Sequence, residues 1–391
     1  MLPDTIHEET TPMRRIDHPL TGHSLGNQTT VTSFHFGAPD ARPKVYIHAS
    51  LHAEELPGML VAHHLRALLE QAERDHTLQG QVVLVPVANP IGLGQRMDHK
   101  PMGRFEFGSS ENFNRNYPDL AGAVFPLVKN QLGPDAARNV ALVRAAVASF
   151  VKDWQVATPL QSLRKALVGL ACDADLVLDL HCDCEAVLHI YTETPCWPQL
   201  EPLARLLKAR AVLLATGTGG VSFDECFSNV WWKLGSMLAT DAGANKPLPP
   251  LPQACSSATI ELRGEADVSH RLAEADAHAI FAFLVHAGVV AGDDPPLPEP
   301  GCDPTPLAGA QSVKSPTAGI VVFIAEVGDY LKVGDPVADI IDPIGNITFT
   351  VQAEVAGVMY ARGNDRYALA DDTLANIAGS VPFRTGNLLG A

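Results

Sequence analysis

No stretch of this 391-residue chain is apolar over the length a bilayer-spanning helix needs, which predicts no membrane segment. Basic residues are scarce. With 28 Lys and Arg against 44 Asp and Glu, the formal charge is −16, which argues against nucleic acid or an anionic membrane surface as partner. Cysteine is sparse too: seven residues, an odd number without the spacing of a disulfide scaffold. The opening MLPDTIHEETTPMRRIDHPL has no apolar segment behind its basic residues, so no export signal is read there. These features predict a cytoplasmic protein with reduced thiols. What remains is 46% hydrophobic and 18% charged, the composition of a globular enzyme with a large core.

The stretch KVYIHASLHAEELPG (44–58) is the one around which the rest is arranged. It reads as a buried strand followed by a turn into a helix. His52 and Glu55 are three residues apart at that junction, and on a first helical turn such residues share a face. An imidazole nitrogen and a carboxylate oxygen can then converge on one cation, a pair that suits Zn²⁺. With fifteen histidines in the chain, a His-x-x-Glu pair also arises by chance, as a helix-start Glu beside a satisfied His. A catalytic zinc needs a further ligand, a general base and groups that hold substrate.

Taken in order, residues 1–28 read as an irregular lead-in and 29–36 as an edge strand. A helix over 56–72 and the apolar run VVLVPV (82–87) follow, giving strand, helix, strand: a βαβ unit of an α/β domain. A loop over 89–119 carries Arg96, Arg104, Asn114 and Arg115, and Arg is the side chain shaped to fork onto a carboxylate. Helices are expected over 139–151 and 160–171. The strand DLVLDL (175–180) delivers His181 at its C-terminal end, where ligand sites of open α/β sheets lie. Cys182 and Cys184 just beyond are explained by strand alternation better than by metal binding. Strands over 186–192 and 211–215 flank a helix over 201–209. Asp224 and Glu225, in VSFDECFSNVWW, fit a solvated loop better than a substrate wall. A short strand over 258–262 places Glu261 on the face opposite Ile260 and Leu262, where it suits a general base or, alternatively, an edge-strand partner for Arg263. A helix over 268–285 closes the domain. A Pro/Gly/Asp-rich linker follows, and then two β-rich halves in which SPTAGIV recurs as AEVAGVM and VGDPVADI as ADDTLANI.

HAEELPG, FNRNYPD, DLHCD and ATIELRGE, in that order, resemble the succinylglutamate desuccinylase/aspartoacylase family of the zinc carboxypeptidase clan. The resemblance implies an α/β fold, a mixed β-sheet flanked by helices, with a small C-terminal all-β barrel-sandwich. It implies domains at 1–290 (catalytic), 291–306 (linker) and 307–391 (similar to a biotinyl/lipoyl module). The turn Asp342-Pro343-Ile344-Gly345 lacks an attachment Lys, so no swinging arm is expected. His52, Glu55 and His181 would hold one Zn²⁺, with Glu261 as base. Asn114 and Arg115 would hold a substrate carboxylate, and Arg104, in competition with Arg96, would polarise the scissile carbonyl. The expected function is hydrolysis of the amide of an N-acyl amino acid. The alternatives are a carboxypeptidase acting on short peptides and a non-catalytic accessory protein of amino-acid uptake. The partner is then a small molecule, and oligomeric state is left open, a homo-oligomer included.

Overall fold

The computed structural model describes residues 13–22, 25–243 and 247–388. The fold is mixed α/β. Its strands begin with β1 (Arg14–Pro19), β2 (Thr30–Phe36), β3 (Lys44–Ala49) and β4 (Gln81–Val85). After the two-residue hairpin β5 (Arg96–Met97) and β6 (Lys100–Pro101) come β7 (Leu176–Asp183), β8 (Glu185–Ala186), β9 (His189–Glu193), β10 (Ala211–Ala215), β11 (Ser256–Gly264) and β12 (Thr305–Pro306). Nine of these form one sheet in the order β1-β2-β4-β3-β7-β11-β9-β10-β12. The run β4-β3-β7-β11 is parallel, so the C-terminal ends of β3, β7 and β11 open on one edge.

Two differences from the sequence reading follow. Residues 14–19 are a strand rather than irregular lead-in, and they displace residues 30–36 from the sheet edge. The exposed, charged pattern of RRIDHP hid it; residues 1–12 lie outside the described set. Likewise β11 is no edge strand. It runs between β7 and β9, nine residues long, and Arg263 pairs instead with Asp276.

Helices cover both faces. Helices α1 (Pro57–Arg74), α6 (Trp197–Leu206) and α8 (His270–His286) share one apolar core with the sheet. Beyond the one-turn α2 (Pro90–Leu93), helices α3 (Leu120–Val128), α4 (Ala136–Asp153), α5 (Pro159–Ala171) and α7 (Glu225–Ala242) share the other. In α1 the apolar Val61, Leu65 and Leu69 recur at four-residue spacing and are buried, and Pro57 occupies a first-turn position where its missing N–H costs nothing. Gly58 lets that turn press on β7: a Cβ there would stand 3.0 Å from the Leu180 carbonyl oxygen. At the opposite edge of the sheet, Asp175 accepts from the Lys44 amide (2.6 Å), Arg144 (2.7 Å) and Arg42 (3.0 Å), tying the starts of β3 and β7 to α4.

The C-terminal strands are β13 (Gln311–Lys314), β14 (Gly319–Phe323), β15 (Tyr330–Leu331), β16 (Pro336–Asp342), β17 (Ile347–Gln352), β18 (Gly357–Arg362), β19 (Tyr367–Ala368) and β20 (Thr373–Gly379). They form the sheets β13-β20-β18-β15 and β17-β16-β14-β19. Counting the eight strands cyclically, a shift of four turns one pairing list into the other, the pseudo-symmetry that the repeated AGIV and AGVM segments foreshadow. The turn at Asp342–Gly345 is the β16–β17 hairpin tip, where Asp342 accepts from the Ile344 and Gly345 amides. This unit is fastened to the large sheet. Strand β8 pairs with β18, Glu185 accepts from both Arg362 and Arg366, and Leu307, Tyr360 and Ala378 share a core cluster with β10.

Candidate metal centre and its cavity

Where β3 ends, Ser50 takes a left-handed backbone (φ 65°), a costly conformation for a residue with a Cβ and one concentrated at functional sites. The chain turns there and delivers His52 and Glu55 ahead of α1. His181 comes from the last part of β7, inside the strand rather than beyond it. The three side chains meet. Glu55 Oε1 lies 2.9 Å from His52 Nδ1 and Glu55 Oε2 lies 2.7 Å from His181 Nδ1. One ligand atom from each falls within 4.8 Å of the others, and all three residues are buried.

The far nitrogens of both rings are also held. His52 Nε2 is 2.9 Å from Asn112 Oδ1, and His181 Nε2 is 2.9 Å from Asp179 Oδ1, which His48 Nε2 approaches to 2.6 Å. A carboxylate or amide behind a ligating imidazole fixes its tautomer and leaves the front nitrogen's lone pair for a cation. Burial alone would lower the His181 ring, but the carboxylates of Asp179 and Glu55 outweigh it and raise the ring well above the usual range. Burial acts upward on Glu55, and His181 and His52 overcome it, holding this carboxyl well below its usual range. Two Nδ1 atoms and a carboxylate, each oriented from behind, are the donor set of a His₂Glu zinc site, and the residues present fit that ion.

Glu261 sits in register beside His181 on one side and His189 on the other. Its Oε2 is buried with no hydrogen-bond partner among the described residues, and burial, then the charge of Glu55, push its carboxyl well above the usual range. Asn114 points its Nδ2 toward His181 Nε2 (3.4 Å), while its Oδ1 accepts from the Phe223 amide (2.8 Å). Arg115 donates to the Asn114 carbonyl (2.8 Å). Arg104 Nη1 reaches Glu55 Oε1 at 3.2 Å. Arg96 is exposed on the β5–β6 hairpin and bonds the His99 carbonyl at 3.4 Å, away from this cluster.

The loop that carries Arg104 is pinned at two points. Arg164, buried, bonds Glu111 (2.9 Å) and the Asn112 carbonyl (3.1 Å). Gly103 lies on the metal-ligand turn: its carbonyl accepts from the Ala53 amide, and a Cβ on it would stand 2.6 Å from Ala53 Cβ. Any larger residue there would press on Ala53 and Glu54, between the two ligands of the turn.

All seven predicted site residues line one cavity of about 670 Å³. Its other walls were not foreseen. Asp224 and Glu225 are 4% and 5% exposed, so they form wall and not solvated loop, because Phe223 packs at 4.3 Å on His48 and draws the segment inward. Glu193 joins them, and Lys314, Tyr360 and Arg384 arrive from the C-terminal strands. Asp179 was legible in principle, since Asp-x-His in a strand puts both side chains on one face. Asn112 has the same two-residue relation to Asn114. No local pattern marks Glu193.

The family profile described as the succinylglutamate desuccinylase/aspartoacylase catalytic domain matches residues 41–141. A protein of Shewanella amazonensis SB2B named for that family superposes with a TM-score of 0.79 at 25% identity, over 93% of this chain and 98% of that one. One from Shewanella frigidimarina NCIMB 400 gives 0.79 at 22% identity, over 94% and 98%. The product-bound ectoine utilization protein EutE (DoeB) of Ruegeria pomeroyi shares the fold at 15% identity and a TM-score of 0.61, over 94% and 96%. No functionally curated protein matches the chain by sequence. Among the described residues, no helix is long and apolar enough to cross a membrane.

Proposed function

We propose that the chain is a member of the succinylglutamate desuccinylase/aspartoacylase family and a zinc-dependent hydrolase that cleaves the amide bond of an N-acyl amino acid. The observation that carries this reading is the convergence of His52, Glu55 and His181 beside Glu261 on the wall of a cavity sized for a small molecule. These three residues would hold Zn²⁺. When bound, zinc acidifies water and polarises a carbonyl. Glu261 takes the proton of the attacking water and passes it to the amide nitrogen, so that the C–N bond breaks to a carboxylate and a free amine. Arg104 stabilises negative charge that grows on the carbonyl oxygen. Asn114 and Arg115 hold the substrate carboxylate, Arg115 through a two-pronged contact.

Residues 1–290 carry this chemistry in our reading, 291–306 connect, and 307–391 narrow the entrance. Lys314, Tyr360 and Arg384 in the cavity wall support that role, and the narrowing favours small substrates over peptides. A carboxypeptidase is therefore the second reading. A non-catalytic accessory protein would leave the placement of Glu261 without a purpose.

The reading is tested by incubating zinc-loaded protein with acetyl-, succinyl- and formyl-amino acids and short peptides, and identifying products. Release of acid and free amino acid, abolished by a chelator and restored by zinc, is expected. Release of C-terminal residues from peptides in preference would move the protein to the second reading. For the arginines, Arg104→Ala should lower kcat about 10²-fold with little change in KM, because its contact strengthens only in the transition state. Arg96→Ala should stay within about twofold of the parent, as surface substitutions do. A larger kcat loss from Arg96→Ala would reassign the polarising role.

A further inference from the structure

The cavity is electrically two-sided, and its acidic side is not used by the chemistry above. Glu193 ends β9, and Asp224 and Glu225 open α7; all three are at least 95% buried and line the cavity. Asp224 accepts from Ser222 Oγ (2.5 Å), and Glu225 from the Thr218 amide (3.0 Å) and hydroxyl (2.9 Å). Glu193 Oε1 accepts from Trp232 Nε1 (2.9 Å); its Oε2 is buried and makes no well-formed hydrogen bond among the described residues, although the nearby Ser228 hydroxyl acts to lower the carboxyl. Protonation does not resolve this: ionised, Oε2 is an unpaired acceptor, and protonated, it carries an unpaired donor. Either state costs free energy that a ligand group can recover. Burial, together with neighbouring carboxylates, pushes both Glu193 and Asp224 up to about 7. Arg115 lies near Asp224 and Glu225 and offsets part of their charge; the remaining carboxylate, crowded out of water, favours an arriving cation over a neutral or anionic group.

The spacing also fits. Glu261 is paired with His189, and Glu193 lies four residues farther along β9, about 13 Å at ~3.3 Å per residue. Tyr191 and Thr259 line the stretch between. Arg115 stands near Asp224 and Glu225, since their charges act on it. An amino acid whose carboxylate meets Arg115 and whose reacting nitrogen lies near Glu261 can therefore extend its side chain toward Glu193.

We propose that the lobe formed by Glu193, Asp224 and Glu225 receives a positively charged nitrogen of the substrate, so that the preferred substrate is the N-acyl derivative of a basic amino acid. This rests on the deacylase reading and narrows it.

The test compares isosteric pairs on the full-length zinc-loaded protein: Nα-acetyl-ornithine against Nα-acetyl-norvaline, and Nα-acetyl-lysine against Nα-acetyl-norleucine. The basic member should have a kcat/KM about 10²–10³-fold higher, since the neutral one leaves Glu193 unpaired. Glu193→Gln should collapse that ratio toward unity, and if the variant does not fold, Asp224→Asn reads the same ratio. Equal kcat/KM within the pairs would overturn the inference while leaving the deacylase reading standing. Faster turnover of N-acetylputrescine than of Nα-acetyl-ornithine would overturn the amino-acid assignment. If no acyl substrate is hydrolysed, the deacylase reading fails, and calorimetry of free ornithine against norvaline decides the lobe by itself. Binding of ornithine alone supports it, and equal or absent binding sinks it.

Discussion

Glu261→Gln is expected to retain its metal while kcat falls by a factor on the order of 10²–10⁴. The substitution keeps shape and volume in the middle of β11, so the pairing with β7 and β9 survives. What disappears is a proton acceptor. In the native cavity the carboxylate is surrounded by groups already committed elsewhere: His181 to Glu55 and Asp179, and Arg104 to Glu55. The other acceptors nearby are His189, whose Nδ1 is engaged with the Val187 carbonyl while its Nε2 is unpaired among the described residues, and Asp183 and Glu265 in the cavity wall, so residual turnover in the variant measures what they can supply. Steady-state kinetics with elemental analysis of the same sample checks both halves. Near-normal turnover at full metal content would show that the base lies elsewhere.

His181→Ala is expected to abolish metal binding and activity together. Removing the ring takes away one of three ligands, a greater loss than the ~10–100-fold in affinity usual for a partner behind a ligand. It also separates Glu55 from Asp179, the two carboxylates that the ring now bridges. The sheet itself should persist, because Leu178 and Leu180 of the same strand keep their places in the core. Circular dichroism matching the parent, with zinc absent after dialysis, is the expected result. Stoichiometric zinc in the variant would refute the ligand assignment.

How much of this was legible beforehand depended on range. The βαβ start, the apolar run read over 82–87 that forms β4 (Gln81–Val85) and the doubled β unit are local patterns, and they were visible. So was the meeting of His52 with Glu55, although the turn that joins them precedes α1 and is not its first helical turn. Strand β1 was missed because an exposed strand covered with charge carries no alternation. The inward turn of Asp224 and Glu225 was missed because their burial is decided by Phe223 docking on His48, two segments that touch only in the folded chain. The placement of β11 between β7 and β9 belongs to the same class: pairing partners are not written into a strand's own residues.

The order of strands in the large sheet has a kinetic consequence. Glu55 and His181 are separated by 126 residues, and the parallel β3–β7 pairing that joins them closes that span without local intermediates. Equilibrium stability is little affected, since each doubling of a loop costs only about 0.6 kcal/mol. Folding speed is affected far more, because distant pairings must lose chain entropy before their contacts repay it. A nascent chain that has emerged only through α4 holds two of the three ligands and none of the strand that supplies the third, so a complete ligand set waits on a long-range parallel closure.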